Sequence, residues 1–151
     1  MAQSLSAVYV HAVFSTKNRV PFLRDDALRM EMHAYLGGVS NKLGVPALLV
    51  GGAEDHVHGL FRLGRSIPLS DWIKELKRVS SLWIKTRAPN QSDFSWQSGY
   101  GVFSVSPSNI TAVKTYIASQ LEHHRKHTFQ EEYRLLLKKH GIEWDERYVW
   151  G

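Results

Sequence analysis

Apolar and polar positions alternate along residues 5–15. Val8, Val10, Ala12 and Phe14 fall on one face, and Tyr9, His11 and Val13 fall on the other. A period of two predicts a strand with one face turned to a core. A basic turn over 16–22 holds Lys17, Asn18 and Arg19. The period then lengthens: Leu28, Met32, Tyr35, Leu36 and Val39 recur at helical spacing, which predicts a helix over 25–43 stopped by Gly44 and Pro46. Residues 47–50 and 56–63 read as two strands of a hairpin whose turn is marked by Gly51, Gly52, Glu54 and Asp55. Pro68 opens a second helix over 69–86, with Trp72, Leu76, Val79 and Trp83 as its apolar stripe and Lys74, Arg78, Ser81 and Lys85 opposite. A polar loop over 87–98 carries Phe94 and Trp96, and 99–106 reads as a fourth strand. A third helix is expected over 108–127, with Ile110, Val113, Ile117 and Leu121 as its core stripe. Thr128 and Glu131 have capping-box spacing, so a last short helix starts there and ends at Gly141.

The order β-α-β-β-α-β with helices added after it predicts an α+β fold, a ferredoxin-like (RRM-like) antiparallel sheet. The length of 151 residues, without repeat or long linker, predicts a single domain over 1–151. This architecture hosts many activities, so function has to come from particular side chains.

Composition narrows the choice. The chain has no Cys, which excludes a disulfide scaffold, a thiolate zinc site and a cysteine nucleophile, and fits a cytoplasmic protein. The uncharged run at the start is too short and too polar to span a bilayer, and it lacks the basic start of a signal peptide. Nineteen Lys and Arg against 14 Asp and Glu give a net charge of +5. That is ordinary for solubility, but it also admits an anionic partner such as nucleic acid.

The chemistry concentrates in His56-Val57-His58. On a strand the two imidazoles share a face and can grip one metal ion, while Val57 points into the core. Two ordinary strand histidines would look the same, so the pair needs company. The third helix supplies it: Tyr116, Gln120, His123 and His127 form a second stripe about 90° from the core stripe. Tyr116 and Gln120 are one turn apart. A helix laid on the sheet would bring the Gln120 amide to the histidine pair and the Tyr116 phenol beside it, a metal site plus an oxygen nucleophile suited to phosphoryl transfer.

With these residues the chain resembles the HUH single-tyrosine transposases, the small transposases of bacterial insertion sequences that move as single-stranded DNA (the insertion-sequence transposase A type). The likeness runs through Val13-Phe14-Ser15-Thr16-Lys17-Asn18-Arg19, Trp96-Gln97-Ser98-Gly99-Tyr100-Gly101, the stretch from Glu122 to Tyr133, and Asp145-Glu146-Arg147-Tyr148-Val149-Trp150. The resemblance implies that His56, His58 and Gln120 hold one divalent ion, Mg²⁺ or Mn²⁺, with Mn²⁺ the better match to imidazole. It implies that Tyr116 attacks a phosphodiester of single-stranded DNA at hairpin-bearing element ends. A 5′-phosphotyrosine forms, a 3′-OH is freed, and a second strand end can then rejoin. It further implies a homodimer whose sites pair the histidines of one subunit with the tyrosine helix of the other.

Other features carry two readings each. Lys17, Asn18 and Arg19, and Lys74, Arg78 and Lys85 on the second helix, are DNA-binding candidates or a solvated surface. Phe94 and Trp96 would stack on unpaired bases or pack in the core. His123 and His127 lack a carboxylate or Cys at zinc-site spacing, and read as a polar flank of the tyrosine face. Glu54 and Asp55 read as turn residues, with Asp55 the better candidate for a site role. Two other functions fit the same chain: a domesticated, repeat-associated tyrosine transposase, and a non-catalytic single-stranded nucleic-acid-binding module.

Overall fold

The computed structural model describes residues 2–151. Four strands, β1 (Tyr9–Ser15), β2 (Ala47–Gly52), β3 (His56–Arg62) and β4 (Gly101–Val105), form one antiparallel sheet in the order β2-β3-β1-β4. Helices α1 (Asp26–Lys42) and α2 (Leu69–Arg87) make the two crossovers. This is the expected ferredoxin-like arrangement, with α3 (Ile110–Ala118), α4 (Gln120–Lys126) and α5 (Phe129–Lys139) added after it.

The alternation along β1 decides which side each layer covers. Val10, Ala12 and Phe14 join Val57 and Phe61 in a core closed by Leu28, Met32 and Leu36 of α1 and Trp72, Ile73, Leu76 and Ile84 of α2. Val13 and Phe103, on the other face, pack under Phe129, Tyr133 and Leu137 of α5. His58 sits opposite Val13 in the ladder and so shares that second face, as do Gly51 (opposite His58) and Gly101 (opposite Val13). Both glycines are contact points for helices. A Cβ on Gly51 would lie 2.8 Å from the Ile117 carbonyl oxygen of α3, and one on Gly101 would lie 2.8 Å from the Tyr133 ring of α5. The missing side chains let both helices lie close on the sheet.

Several local expectations shift. The first strand begins at Tyr9 and not at 5, and Leu5 and Val8 are exposed. The buried stripe of α2 is Trp72, Ile73, Leu76, Ser80 and Ile84. Trp83 is only half-buried and stacks on Tyr35 of α1. The rotation follows from a polar contact that hydrophobic periodicity does not register: Ser80 Oγ donates to the Leu76 carbonyl and accepts the Trp96 indole N–H at 2.9 Å. Trp96 and Phe94 are therefore core residues, with Trp96 edge-on to Phe94 and Phe14 and Phe94 tilted against Phe22, and are not free to hold bases. The third helix breaks at Ser119, whose hydroxyl donates back to the Thr115 carbonyl at 2.6 Å while its own backbone leaves helical geometry. As a result Leu121, expected in the core stripe, is 47% exposed.

Two ends are fixed as the sequence predicts. Asp25 accepts from the Leu28 N–H to start α1, and Thr128 and Glu131 form a reciprocal capping box on α5. Among the described residues no helix is long and apolar enough to cross a membrane.

The Ser80–Trp96 contact gives a test of the core. Ser80→Ala leaves a buried indole N–H without a partner, and is expected to cost ~1–3 kcal/mol in urea unfolding with an unchanged denaturant slope.

Candidate metal and tyrosine site

His56 and His58 are fully buried on β3, under α3, α4 and α5. Each has its Nδ1 held by a neighbour. Asp55 Oδ1 is 2.7 Å from His56 Nδ1, and His11 Nε2, projecting from β1, is 2.7 Å from His58 Nδ1. A ring whose Nδ1–H is donated keeps its Nε2 lone pair free, the arrangement that orients imidazoles toward a metal. The two Nε2 atoms converge with a third donor, Glu132 Oε1 of α5, and all three lie within 4.8 Å of one another. Gln120 Oε1, on the first residue of α4, is 3.0 Å from His56 Nε2.

The burial of these groups shows what the cluster lacks. Glu132 is 3% exposed and Gln120 is 1% exposed. Glu132 Oε1 approaches His58 Nε2 to 2.5 Å, yet that nitrogen and both carboxylate oxygens have no hydrogen bond of good geometry. Buried polar atoms normally have partners. Two imidazole nitrogens, a carboxylate oxygen and an amide oxygen crowded on one point form a donor set that fits a divalent cation.

At His58 and Glu132 the protonation states suit a cation site, while at His56 the neighbouring carboxylates favour the protonated ring. Burial drives His58 down to about 4, aided by its imidazole neighbours and opposed by Glu132. Burial and then His58 drive His11 down to about 3. Burial alone would also lower His56, but the Asp55 hydrogen bond and the charge of Glu132 outweigh it, and its pKa rises. Burial would raise Glu132, yet the imidazoles around it hold the carboxyl down at about 2. The cluster thus carries an ionised carboxylate beside a neutral His58.

Tyr116 comes from α3 and sits against the cluster. Its ring centroid is 5.5 Å from those of His58 and His123 and 5.9 Å from that of His11, each in an edge-on geometry. Burial, and after it the negative charge of Glu132, raise the phenol well above its ordinary value. A cation among the imidazoles would offset that charge.

The structure thus brings together His56, His58, Gln120 and Tyr116. It adds four residues that spacing did not mark as one site. Asp55 holds His56, so it is more than a turn residue. His11 holds His58. Glu132 supplies the carboxylate, and His123 faces its second oxygen at 3.3 Å. For His11 a signal was available: it alternates onto the same face as Val13. Glu132 lay within the stretch of family likeness, but no spacing aimed it at β3, because its reach depends on how α5 docks. His127 stays outside, beside Glu131.

The DNA-binding candidates separate into two groups. The Lys17–Arg19 turn follows β1 directly, and Thr16 pairs with Asp55, so this turn borders the site. Asn18 and Arg19 are both in the left-handed region. Lys17 and Asn18 are exposed, while Arg19 donates to the Trp150 carbonyl at 2.8 Å. Lys74, Arg78 and Lys85 lie on the solvent side of α2, across the sheet from the histidines, and Arg78 is paired with Glu75. Their neighbour Lys77 turns inward and donates to the carbonyls of Gln97, Ser98 and Gly99.

Comparison with known proteins places this geometry. No curated protein matches the chain significantly. Among solved structures, a candidate transposase from Deinococcus radiodurans R1 is similar at 20% identity with a TM-score of 0.64, over 80% of this chain and 96% of that one. A REP-associated tyrosine transposase bound to a REP hairpin is similar at 14% identity with a TM-score of 0.57, over 85% of this chain and 73% of that one. At such identities the likeness establishes the shared fold. The sequence profile of the family described as "Transposase IS200 like" matches residues 4–120, a span that includes His56, His58, Tyr116 and Gln120. The chain belongs to the IS200-like transposase family.

Proposed function

We propose that this chain cuts and rejoins single-stranded DNA at hairpin-bearing ends, with Tyr116 as nucleophile and His56, His58, Gln120 and Glu132 as the ligands of one divalent ion. The observation that carries the reading is the buried convergence of two imidazoles, an amide and a carboxylate without hydrogen bonds of good geometry, directly beside a tyrosine. When bound, Mn²⁺ or Mg²⁺ supplies Lewis-acid polarisation of the scissile phosphate. The protein's own part is to hold the phenol in line. Tyr116 Oη attacks phosphorus, the new O–P bond forms as the bond to the 3′ oxygen breaks, and that oxygen takes up a proton and leaves as a 3′-OH. His123, whose ring centroid is 5.5 Å from that of the phenol and which is outside the ligand set, is the group placed to take its proton. The phosphotyrosine retains the bond energy, so a second 3′-OH can reverse the step. Lys17 and Asn18, bordering the site, would contact the strand backbone. Lys74, Arg78 and Lys85, on the far layer, would reach only the duplex stem of a hairpin. The likeness to a REP-associated transposase supports hairpin DNA as the substrate class, whether the gene is mobile or domesticated.

The resemblance suggests a homodimer with tyrosine helices exchanged between subunits. Within one chain Tyr116 meets His11 and His58, and an exchanged dimer would make the same contacts between subunits. The non-catalytic module is the weaker reading, since binding alone needs no carboxylate buried among imidazoles.

Incubation with labelled single-stranded hairpin DNA and Mn²⁺ is expected to give a covalent protein–DNA adduct on denaturing gels. Tyr116→Phe should abolish it, and an adduct that persists in this variant would refute the nucleophile. Duplex DNA cut as readily as single-stranded DNA would refute the substrate class. Calorimetric titration with Mn²⁺ should show His58→Ala and Glu132→Ala losing the site, and His11→Ala weakening it about 10–100-fold, as expected for a residue that orients a ligand. A mixture of His58→Ala and Tyr116→Phe chains should stay inactive when sites close within one chain, whereas recovered activity would establish the exchanged dimer.

A further inference from the structure

A cleft of about 440 Å³ opens on the solvent side of Tyr116. Its floor is His11 of β1 with Phe103 and Val105 of β4. One wall is α3, through Ala112, Val113 and Tyr116, and the other is α5, through Leu135, Leu136 and Lys139. Tyr116, His123 and Glu132 line its inner end, and none of the steps assigned to the metal and the tyrosine uses the space beyond them.

Three observations describe what would fill it. The volume is that of a small-molecule site, and its walls are mainly apolar. Leu135 stands 63% exposed at the edge and Ala112 is exposed on the opposite wall, so apolar surface lines the opening. The polar groups at the cleft are Asn109, which can bond a ring edge, Lys139 and His140 at the end of α5, and His11, Tyr116 and His123 at the inner end. Apart from Glu132, which the cluster of histidines already surrounds, no carboxylate lines the cleft. A planar heterocycle attached to a phosphate matches each of these features. The cleft is also continuous with Tyr116, so a nucleotide linked to the phosphorus under attack would have its base at the entrance.

We infer that the cleft between α3 and α5 receives a nucleobase flanking the scissile phosphate, unstacked from its strand and held between apolar side chains. This rests on Tyr116 being the nucleophile of the proposed reaction. It adds a base-binding subsite that sets the register of the strand. Phosphate contacts alone would let the strand slide, whereas an inserted base fixes one phosphorus before the phenol.

The test separates the two claims. Oligothymidylate carrying 5-iododeoxyuridine is photo-crosslinked to Tyr116→Phe protein, which binds without reacting, and the adducts are mapped by mass spectrometry. Crosslinks are expected on the 103–105 or 135–140 segments. They should be lost in a protein that also carries Ala112→Trp, a change at an exposed helix position that fills the cleft. With Tyr116 intact, Ala112→Trp should slow adduct formation about 5–150-fold, the range one stacked base supplies, while Mn²⁺ titration stays as in the parent. Lys139→Glu, also exposed, should weaken crosslinking without touching the metal site. Crosslinks confined to other surfaces, or unchanged in Ala112→Trp, would overturn the subsite. Crosslinks in the cleft with no covalent adduct from the unmodified chain would leave the subsite standing and overturn the strand-transfer reading.

Discussion

A carboxylate taken out of water must be matched by opposite charge or by hydrogen bonds, because burying it alone costs several kcal/mol. Glu132 is the residue that imposes this condition here. Its oxygens lie at the meeting point of β3, α3, α4 and α5, with His58 on one side and His123 on the other, and they lack hydrogen bonds of good geometry. Every helix added after the ferredoxin-like sheet has a residue facing that carboxylate or the imidazoles beside it. The layer over the second face of the sheet is therefore organised around an electrostatic demand that the protein alone meets only in part. A bound cation would complete it.

The two faces of the sheet divide the work. The α1/α2 face is a dry core with a few internal polar pairs, such as Trp72 with Ser40 and Trp96 with Ser80, and it makes the strands rigid. The opposite face carries His11, His56 and His58 on that rigid base, so the imidazoles stand on strands and the helices come to them. Catalytic groups placed on regular elements keep their geometry better than groups on loops. The glycines at 51 and 101 show the cost of this plan, since two positions on the active face give up side chains to let backbones approach.

Much of this was legible in the sequence, for physical reasons that also explain what was not. Alternation along 8–14 and 56–61 is a local property, and it correctly assigned Val10, Ala12, Phe14 and Val57 to one side and the histidines to the other. The one-turn spacing of Tyr116 and Gln120 likewise placed both at the cluster, even though the helix breaks between them at Ser119. Hydrophobic periodicity misjudged α2, because a buried serine that accepts an indole N–H counts as polar. It misjudged Phe94 and Trp96, because a loop sequence does not reveal whether its aromatics fold back onto the core. The contribution of Glu132 depends on the docking of α5, which one strand's pattern cannot encode.

The break at Ser119 has a further consequence. It leaves α3 as nine residues, bounded by a short 3₁₀ turn at Pro107–Asn109 and by the break itself. Helices this short hold together poorly in water and owe their order to what they lie against. Away from the sheet, then, α3 would lose much of its winding, and Tyr116 would lose its defined direction along with it. The proposed nucleophile would be aimed only while its helix is seated, so seating α3 and arming the proposed reaction would be a single event.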